Sequence, residues 1–168
     1  MEIERKYLAD PSGLSLSSYP KKELSQGYIS TDPVIRIRRS DESYILTVKS
    51  DGLIARQEYE IPLSAEQYER LSDKVEGICI SKTRYLIPWE DGRLTIELDL
   101  FHGALTGLVY AEVEFPTLEA AEAFTPPSWF LREVTEDGAF TNAAISRLAP
   151  SEIPAFLKKA ACGPDNPN

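Results

Sequence analysis

Histidine is close to absent from this chain: His102 is the single one among 168 residues. That scarcity argues against His-based triads and His-rich zinc sites, and points to carboxylates, bases and a hard metal as the available chemistry. Only two cysteines occur, Cys79 and Cys162, in unrelated contexts. A disulfide framework is not expected, and a reducing cytoplasm is the expected setting. No apolar run approaches the length of a membrane-spanning helix, and residues 1–20 lack a basic start followed by an apolar stretch. No anchor or signal peptide is therefore expected, and no membrane partner. Basic residues are outnumbered, 18 against 27 acidic ones, for a net charge of −9. This balance argues against a nucleic-acid partner, but leaves room for a concentrated basic pocket.

What is present is a series of short alternating segments. Residues 1–9 alternate as a strand, and residues 34–39 and 43–50 read as a hairpin joined by Ser40-Asp41-Glu42. Residues 55–62 alternate after the Asp51-Gly52 turn, and residues 79–88 and 93–101 form a second hairpin around Glu90-Asp91-Gly92. Residues 108–115 and 130–135 complete the strands. Residues 10–25, with Pro11, Gly13 and Pro20, read as a loop or broken helix leading into Gln26-Gly27-Tyr28-Ile29. Ser64 and Gln67 make a capping box for a helix running to Val75, with Gly77 as its stop. Thr117 caps a short helix to Phe124, and residues 142–148 read as another. Residues 1–150 form one domain. The remainder, 151–168, is a tail with a short amphipathic piece, Ile153 to Ala161, and a polar, disordered end. The expected class is α+β, with an antiparallel sheet that is closed or nearly so.

Strand geometry places residues i and i+2 on one face. On that basis the charges fall into like-sign pairs. Four are acidic: Glu2 with Glu4, Glu58 with Glu60, Glu97 with Asp99, and Glu112 with Glu114. Two are basic, Arg36 with Arg38 and Lys82 with Arg84, and Lys6 and Lys49 join them. Arg56 shares a face with Glu58 and Glu60. The reverse faces are mostly Ile, Leu, Val, Phe and Tyr. A solvated sheet face usually intersperses its signs, because opposed like charges cost stability. Segregated pairs instead suit a wet interior filled by complementary charge, since burying unpaired ions costs on the order of several kcal/mol each. Divalent cations such as magnesium or manganese suit the carboxylates, and a polyphosphate suits Arg and Lys. The expected occupant is a metal-bound oligophosphate. Away from these pairs, His102 reads as a loop residue, Trp89 and Trp129 as packing, Cys79 as a small structural residue and Arg39 as surface.

The run Glu2-Ile3-Glu4-Arg5-Lys6 resembles the N-terminal signature of the CYTH superfamily, the triphosphate tunnel metalloenzymes. The ordered series that follows is similar to that family too, through Arg36-x-Arg38, Lys49, Arg56-x-Glu58-x-Glu60, Lys82-x-Arg84, Glu97-x-Asp99 and Glu112-x-Glu114. Glu133-Val134-Thr135 with Asn142 resembles its closing segment, and Gly27-Tyr28 a position near the tunnel mouth. The resemblance implies an eight-stranded antiparallel β-barrel forming a tunnel, with a few flanking helices. It implies that Lys6, Arg36, Arg38, Lys49, Arg56, Lys82 and Arg84 hold the phosphates of a small-molecule triphosphate. It implies Glu2, Glu4, Glu112 and Glu114 as metal ligands for Mg2+ or Mn2+, with Glu97 and Asp99 extending the set. Glu58 and Glu60 then complete the water shell and share the catalytic role with Glu2, Glu4 and Lys6. The implied reaction is metal-dependent hydrolysis of inorganic triphosphate, and of nucleoside triphosphates as poorer substrates, by a cytoplasmic monomer or homodimer. The alternatives are a class IV-type adenylate cyclase, a thiamine triphosphatase, or a non-catalytic polyphosphate-binding module.

Overall fold

The computed structural model of the protein describes residues 1–161. Cys162 and the polar end expected to be disordered lie outside the described residues. In chain order the strands are β1 (Glu2–Ala9), β2 (Lys21–Thr31), β3 (Val34–Ser40), β4 (Ser43–Lys49) and β5 (Ala55–Arg56). They continue with β6 (Glu58–Leu63), β7 (Glu76–Trp89), β8 (Leu94–Phe101), β9 (Val109–Glu114) and β10 (Phe130–Glu133). The helices are α1 (Ala65–Ser72), α2 (Leu118–Ala123), α3 (Asn142–Ser146) and α4 (Ile153–Ala161).

Strand neighbours run β10-β1-β9-β8-β7-β2-β3-β4-β6, and β5 returns to β1 through Glu2 opposite Arg56 and Ile3 opposite Ala55. Only Gln57 separates β5 from β6. Residues 55–63 therefore act as one bent strand that pairs with β4 on one side and β1 on the other, and so closes the ring. Counted this way the ring has the eight members expected of the barrel. The tally of ten strands comes from the break at Gln57 and from β10, which pairs along β1.

Local sequence explains most of the elements. The Ser64–Gln67 capping box is present at the start of α1, which ends at Ser72 instead of reaching Val75. Gly77 lies within β7 at φ +70°, where its missing side chain admits the backbone carbonyl of Ser146. Thr117 and Thr141 accept from backbone N–H groups at the starts of α2 and α3. The loop expected over residues 10–25 holds only to Pro20. Two single 3-10 turns are followed by β2, which begins at Lys21 and pairs with β7 through Lys22 opposite Arg84 and Leu24 opposite Lys82. Lys21, Lys22 and Glu23 are all exposed, so this end of the strand carries no apolar alternation to read.

Two apolar clusters sit on opposite sides of the wall. One covers its outer face, where Ile3, Tyr7, Ile96, Leu98, Ala111 and Val113 pack against Ala121 and Phe124 of the α2 region. The other fills one end of the barrel. There the inward residues Ile80, Phe101 and Tyr110 meet Phe140, Ile145 of α3, and Ile153 and Phe156 of α4. Not every apolar outer face is covered by a helix: Tyr59 and Ile61 of β6 are exposed. Cys79 is exposed as well, rather than packed as a small structural residue. No helix among the described residues is long and apolar enough to cross a membrane.

Candidate functional site

The unfilled part of the barrel is a cavity of about 190 Å³. Its walls divide by strand. Going round the ring, β6, β1, β9 and β8 are consecutive and carry the acids, while β7, β2, β3 and β4 are consecutive and carry most of the bases. On the acidic arc, Glu58 and Glu60, Glu2 and Glu4, Glu112 and Glu114, and Glu97 all line the cavity. On the basic arc the lining residues are Arg84, Arg36, Arg38 and Lys49. Lys6 and Arg56 are the two cations within the acidic arc, and both line the cavity.

Two of the expected site residues do not line the cavity. Lys82 and Asp99 have fully buried side chains, joined by an ion pair of 2.6 Å. Asp99 also accepts two hydrogen bonds of 2.7 Å from the Arg84 guanidinium. They sit where the polar cavity gives way to the apolar end, since Lys82 lies 5.2 Å over the Phe101 ring. Asp99 thus fixes one edge of the Arg84 guanidinium, whose other contacts, Glu97 and Glu112, line the cavity.

Acids and bases around the cavity pair with one another. Lys49 donates to Glu2 at 2.8 Å, Arg56 reaches Glu2 and Glu4 at 3.4 and 3.7 Å, and Lys6 stands 3.7 Å from Glu112. Arg38, half-buried, donates to Gln26 at 3.0 Å, whereas Arg39 is exposed and donates to the Asp41 carbonyl. The face assignment that separated these two neighbours is met.

The acidic arc is nonetheless overloaded with like charge. Glu4 is opposite Glu114 across β1 and β9, and Glu97 is opposite Glu112 across β8 and β9. Burial, followed by Glu112, pushes the Glu4 carboxyl above its usual range. Burial and a hydrogen bond with Glu58 raise Glu2, and burial raises Glu97 against the pull of Arg84. Glu112 goes the other way: burial opposes ionisation, but Lys6, Arg84 and Lys82 together hold it well below the usual range. Its Oε1 has no hydrogen-bond partner although buried. Burial and the neighbouring Arg36 lower Arg38 to about 10. A wall of crowded carboxylates, three of them pushed up by burial and one with a buried oxygen that makes no hydrogen bond, fits a hard divalent cation in chemistry. No three of the acids are gathered into a ready cation cage among the described residues; several are held by the bases just named.

Thr141, Asn142 and Ala143 also line the cavity, with Tyr28 and Val34. Thr141 and Val34 escaped the sequence reading because neither belongs to a like-charge pair. Asn142 accepts from Lys82 at 3.4 Å, which ties the start of α3 to the cavity floor.

The CYTH domain family matches residues 1–136. An inorganic triphosphatase of Nitrosomonas europaea is 44% identical over 154 residues, covering 89% of this chain and 99% of that protein. A second, from Acetivibrio thermocellus, is 40% identical over 147 residues, covering 84% and 90%. A crystal structure of an inorganic triphosphatase superposes with a TM-score of 0.65 at 41% identity, covering 89% of this chain and 97% of that one. The match extends from the opening strand through β10 to Glu136, and the chain belongs to the CYTH domain family.

Proposed function

We propose that this protein is a metal-dependent triphosphatase that hydrolyses inorganic triphosphate to pyrophosphate and phosphate. The carrying observation is the bipolar cavity, with a contiguous arc of carboxylates facing a contiguous arc of Arg and Lys. Relatives at 44% and 40% identity that bear the name inorganic triphosphatase support the same reading. Scale supports it too. A volume of about 190 Å³ suits a short phosphate chain, and the apolar lining is limited to Tyr28, Val34 and Ala143. That offers little for a nucleobase to stack on. The low cysteine count and the net charge of −9 support a cytoplasmic protein acting on a free small molecule.

In this reading Arg36, Arg38, Lys49 and Arg84 bind the phosphate oxygens, with Arg giving forked contacts. Lys6 and Arg56 reach the same oxygens from the acidic side. Asp99, itself paired with Lys82, holds Arg84 in place from the apolar end of the barrel. Glu2, Glu4, Glu112, Glu114 and Glu97 are the donors that would hold Mg2+ or Mn2+. Such an ion supplies neutralisation of phosphate charge and polarisation of the attacking water. Glu58 and Glu60 orient that water. Its oxygen attacks the terminal phosphorus in line as a proton passes to the Glu58–Glu60 pair, the bridging P–O bond breaks, and pyrophosphate leaves toward the basic arc. No covalent enzyme intermediate is required.

The test is product identification from tripolyphosphate, ATP and thiamine triphosphate, each with Mg2+ and with Mn2+. Orthophosphate release from tripolyphosphate should far exceed release from the other two. Cyclic AMP from ATP, or preferred cleavage of thiamine triphosphate, would move the assignment. Tight binding of all three without turnover would make the protein a polyphosphate receptor.

A further inference from the structure

The Glu133-Val134-Thr135 segment contributes nothing to the cavity of about 190 Å³, yet it captures the backbone of a residue that does. Lys6 occupies a gap in the barrel wall. One edge of β1 pairs with β5 as far as Ile3, and the Glu4 N–H still reaches the Ile54 carbonyl. Regular pairing resumes on that edge with β10 at Tyr7, opposite Glu133. Between them Lys6 has no strand partner on that side. Its carbonyl accepts from the Val134 N–H at 2.8 Å, and its N–H donates to the Thr135 hydroxyl at 2.9 Å. A side-chain oxygen thus stands in for a missing ladder carbonyl.

That hydroxyl is itself held. Its proton is directed to Glu133 Oε1 at 2.8 Å, which leaves a lone pair for the Lys6 N–H. Glu133 accepts from Arg5 Nε at 2.7 Å and from a second guanidinium nitrogen at 2.6 Å, and Arg5 donates onward to the Ala121 carbonyl at 2.7 Å. The Arg5 pairing holds the Glu133 carboxyl below its usual range, so it remains an acceptor at neutral pH. At the far end of Lys6 the ammonium stands 3.4 Å from the Phe140 carbonyl and 5.0 Å over the Tyr110 ring.

We propose that Arg5, Glu133 and Thr135 form a positioning relay running from the gap in the barrel wall to its outer side, which sets where the Lys6 ammonium meets the substrate. None of its three residues lines the cavity of about 190 Å³. It rests on the triphosphatase reading, because it acts through Lys6. Displacements of about 1 Å at a reacting centre cost roughly a hundredfold in rate, so a chain of three hydrogen bonds outside that cavity has leverage over turnover.

The test compares Thr135→Val, Thr135→Ser and Glu133→Gln, in the parent and in a Lys6→Ala background. Tripolyphosphate turnover, calorimetric binding of tripolyphosphate and thermal melting are measured for each. Thr135→Val should lower kcat by roughly ten- to a hundredfold, Glu133→Gln by less, and Thr135→Ser should recover most of the loss. In the Lys6→Ala background Thr135→Val should change neither binding nor turnover further, the signature of action through one residue. Backbone hydrogen exchange at Lys6 should speed up in Thr135→Val and stay slow in Thr135→Ser. Equal losses with and without Lys6, or unchanged exchange at the Lys6 amide, would overturn the relay. If the parent binds tripolyphosphate without turning it over, the functional reading fails instead. The binding and exchange results would then still decide whether the relay sets Lys6.

Discussion

Asp99→Ala isolates the buried carboxylate on which the basic arc rests. The wild-type side chain has no exposed surface, and it binds Lys82 at 2.6 Å and Arg84 through two contacts of 2.7 Å. Removing it leaves Arg84 with Glu97 and, at 3.9 Å, Glu112. Lys82 is left with the Asn142 oxygen at 3.4 Å, a weaker anchor for a fully buried ammonium. Stranding one partner of a buried pair costs about 3–5 kcal/mol, and the surviving contacts of Arg84 place this case near 3. For a chain of this length that corresponds to a melting temperature lower by roughly 6–12 °C. Urea unfolding followed by circular dichroism should show the midpoint falling with the slope unchanged. Asp99→Asn keeps the shape and one acceptor and should lose less. A midpoint shift worth under about 1 kcal/mol for Asp99→Ala would refute the anchoring role, since that is the range of an exposed pair.

Other consequences follow from the walls of the cavity. On the proposed function, Arg38→Ala would remove charge-assisted hydrogen bonds to phosphate worth about 1.5–3 kcal/mol, roughly a ten- to hundredfold loss in kcat/KM for tripolyphosphate. Arg39→Ala, one residue away but exposed, should leave it within about twofold, as ordinary surface changes do; equal effects would mean the face assignment is wrong. Because the Glu4 carboxyl is raised in the fold, it costs no stability below its ordinary value of 4.5, a growing amount from there up to the raised value, and a constant amount above it. In chelator, Glu4→Gln should therefore melt above the parent at pH 7.5, with the gap closing toward pH 4. A variant that melts lower at pH 7.5 would contradict the overloaded acidic arc.

Much of the site was legible because a strand writes its faces into the sequence at period 2. The pairs at 36 and 38, or at 112 and 114, needed no partner to be recognised as sharing a face. Depth along the barrel is not written there. Lys82 and Arg84 share a face and a sign, yet Phe101 and Tyr110 fill the barrel beside Lys82 and leave only Arg84 on the cavity. Asp99 departs from Glu97 for the same reason. The first half of β2 was unreadable because its partner β7 lies some sixty positions away and Lys21, Lys22 and Glu23 show no apolar alternation. The break at Gln57 is likewise a property of closure: residues 55 and 56 must turn to β1 while 58–63 stay with β4. The relay behind Lys6 was half visible, as a Glu-x-Thr segment without an assigned part, and only the fold sets it against the first strand.

The account turns on the acidic arc serving hydrolysis rather than merely balancing charge. The direct measurement is the initial rate of orthophosphate release from tripolyphosphate, with Mg2+ and with Mn2+, for the parent and for Glu4→Gln. On the proposed function, a cation held by these carboxylates would contribute several kcal/mol to the transition state. The rate of Glu4→Gln should therefore fall by at least about a hundredfold while the protein stays folded. A folded Glu4→Gln protein that hydrolyses tripolyphosphate at close to the parent rate would contradict it.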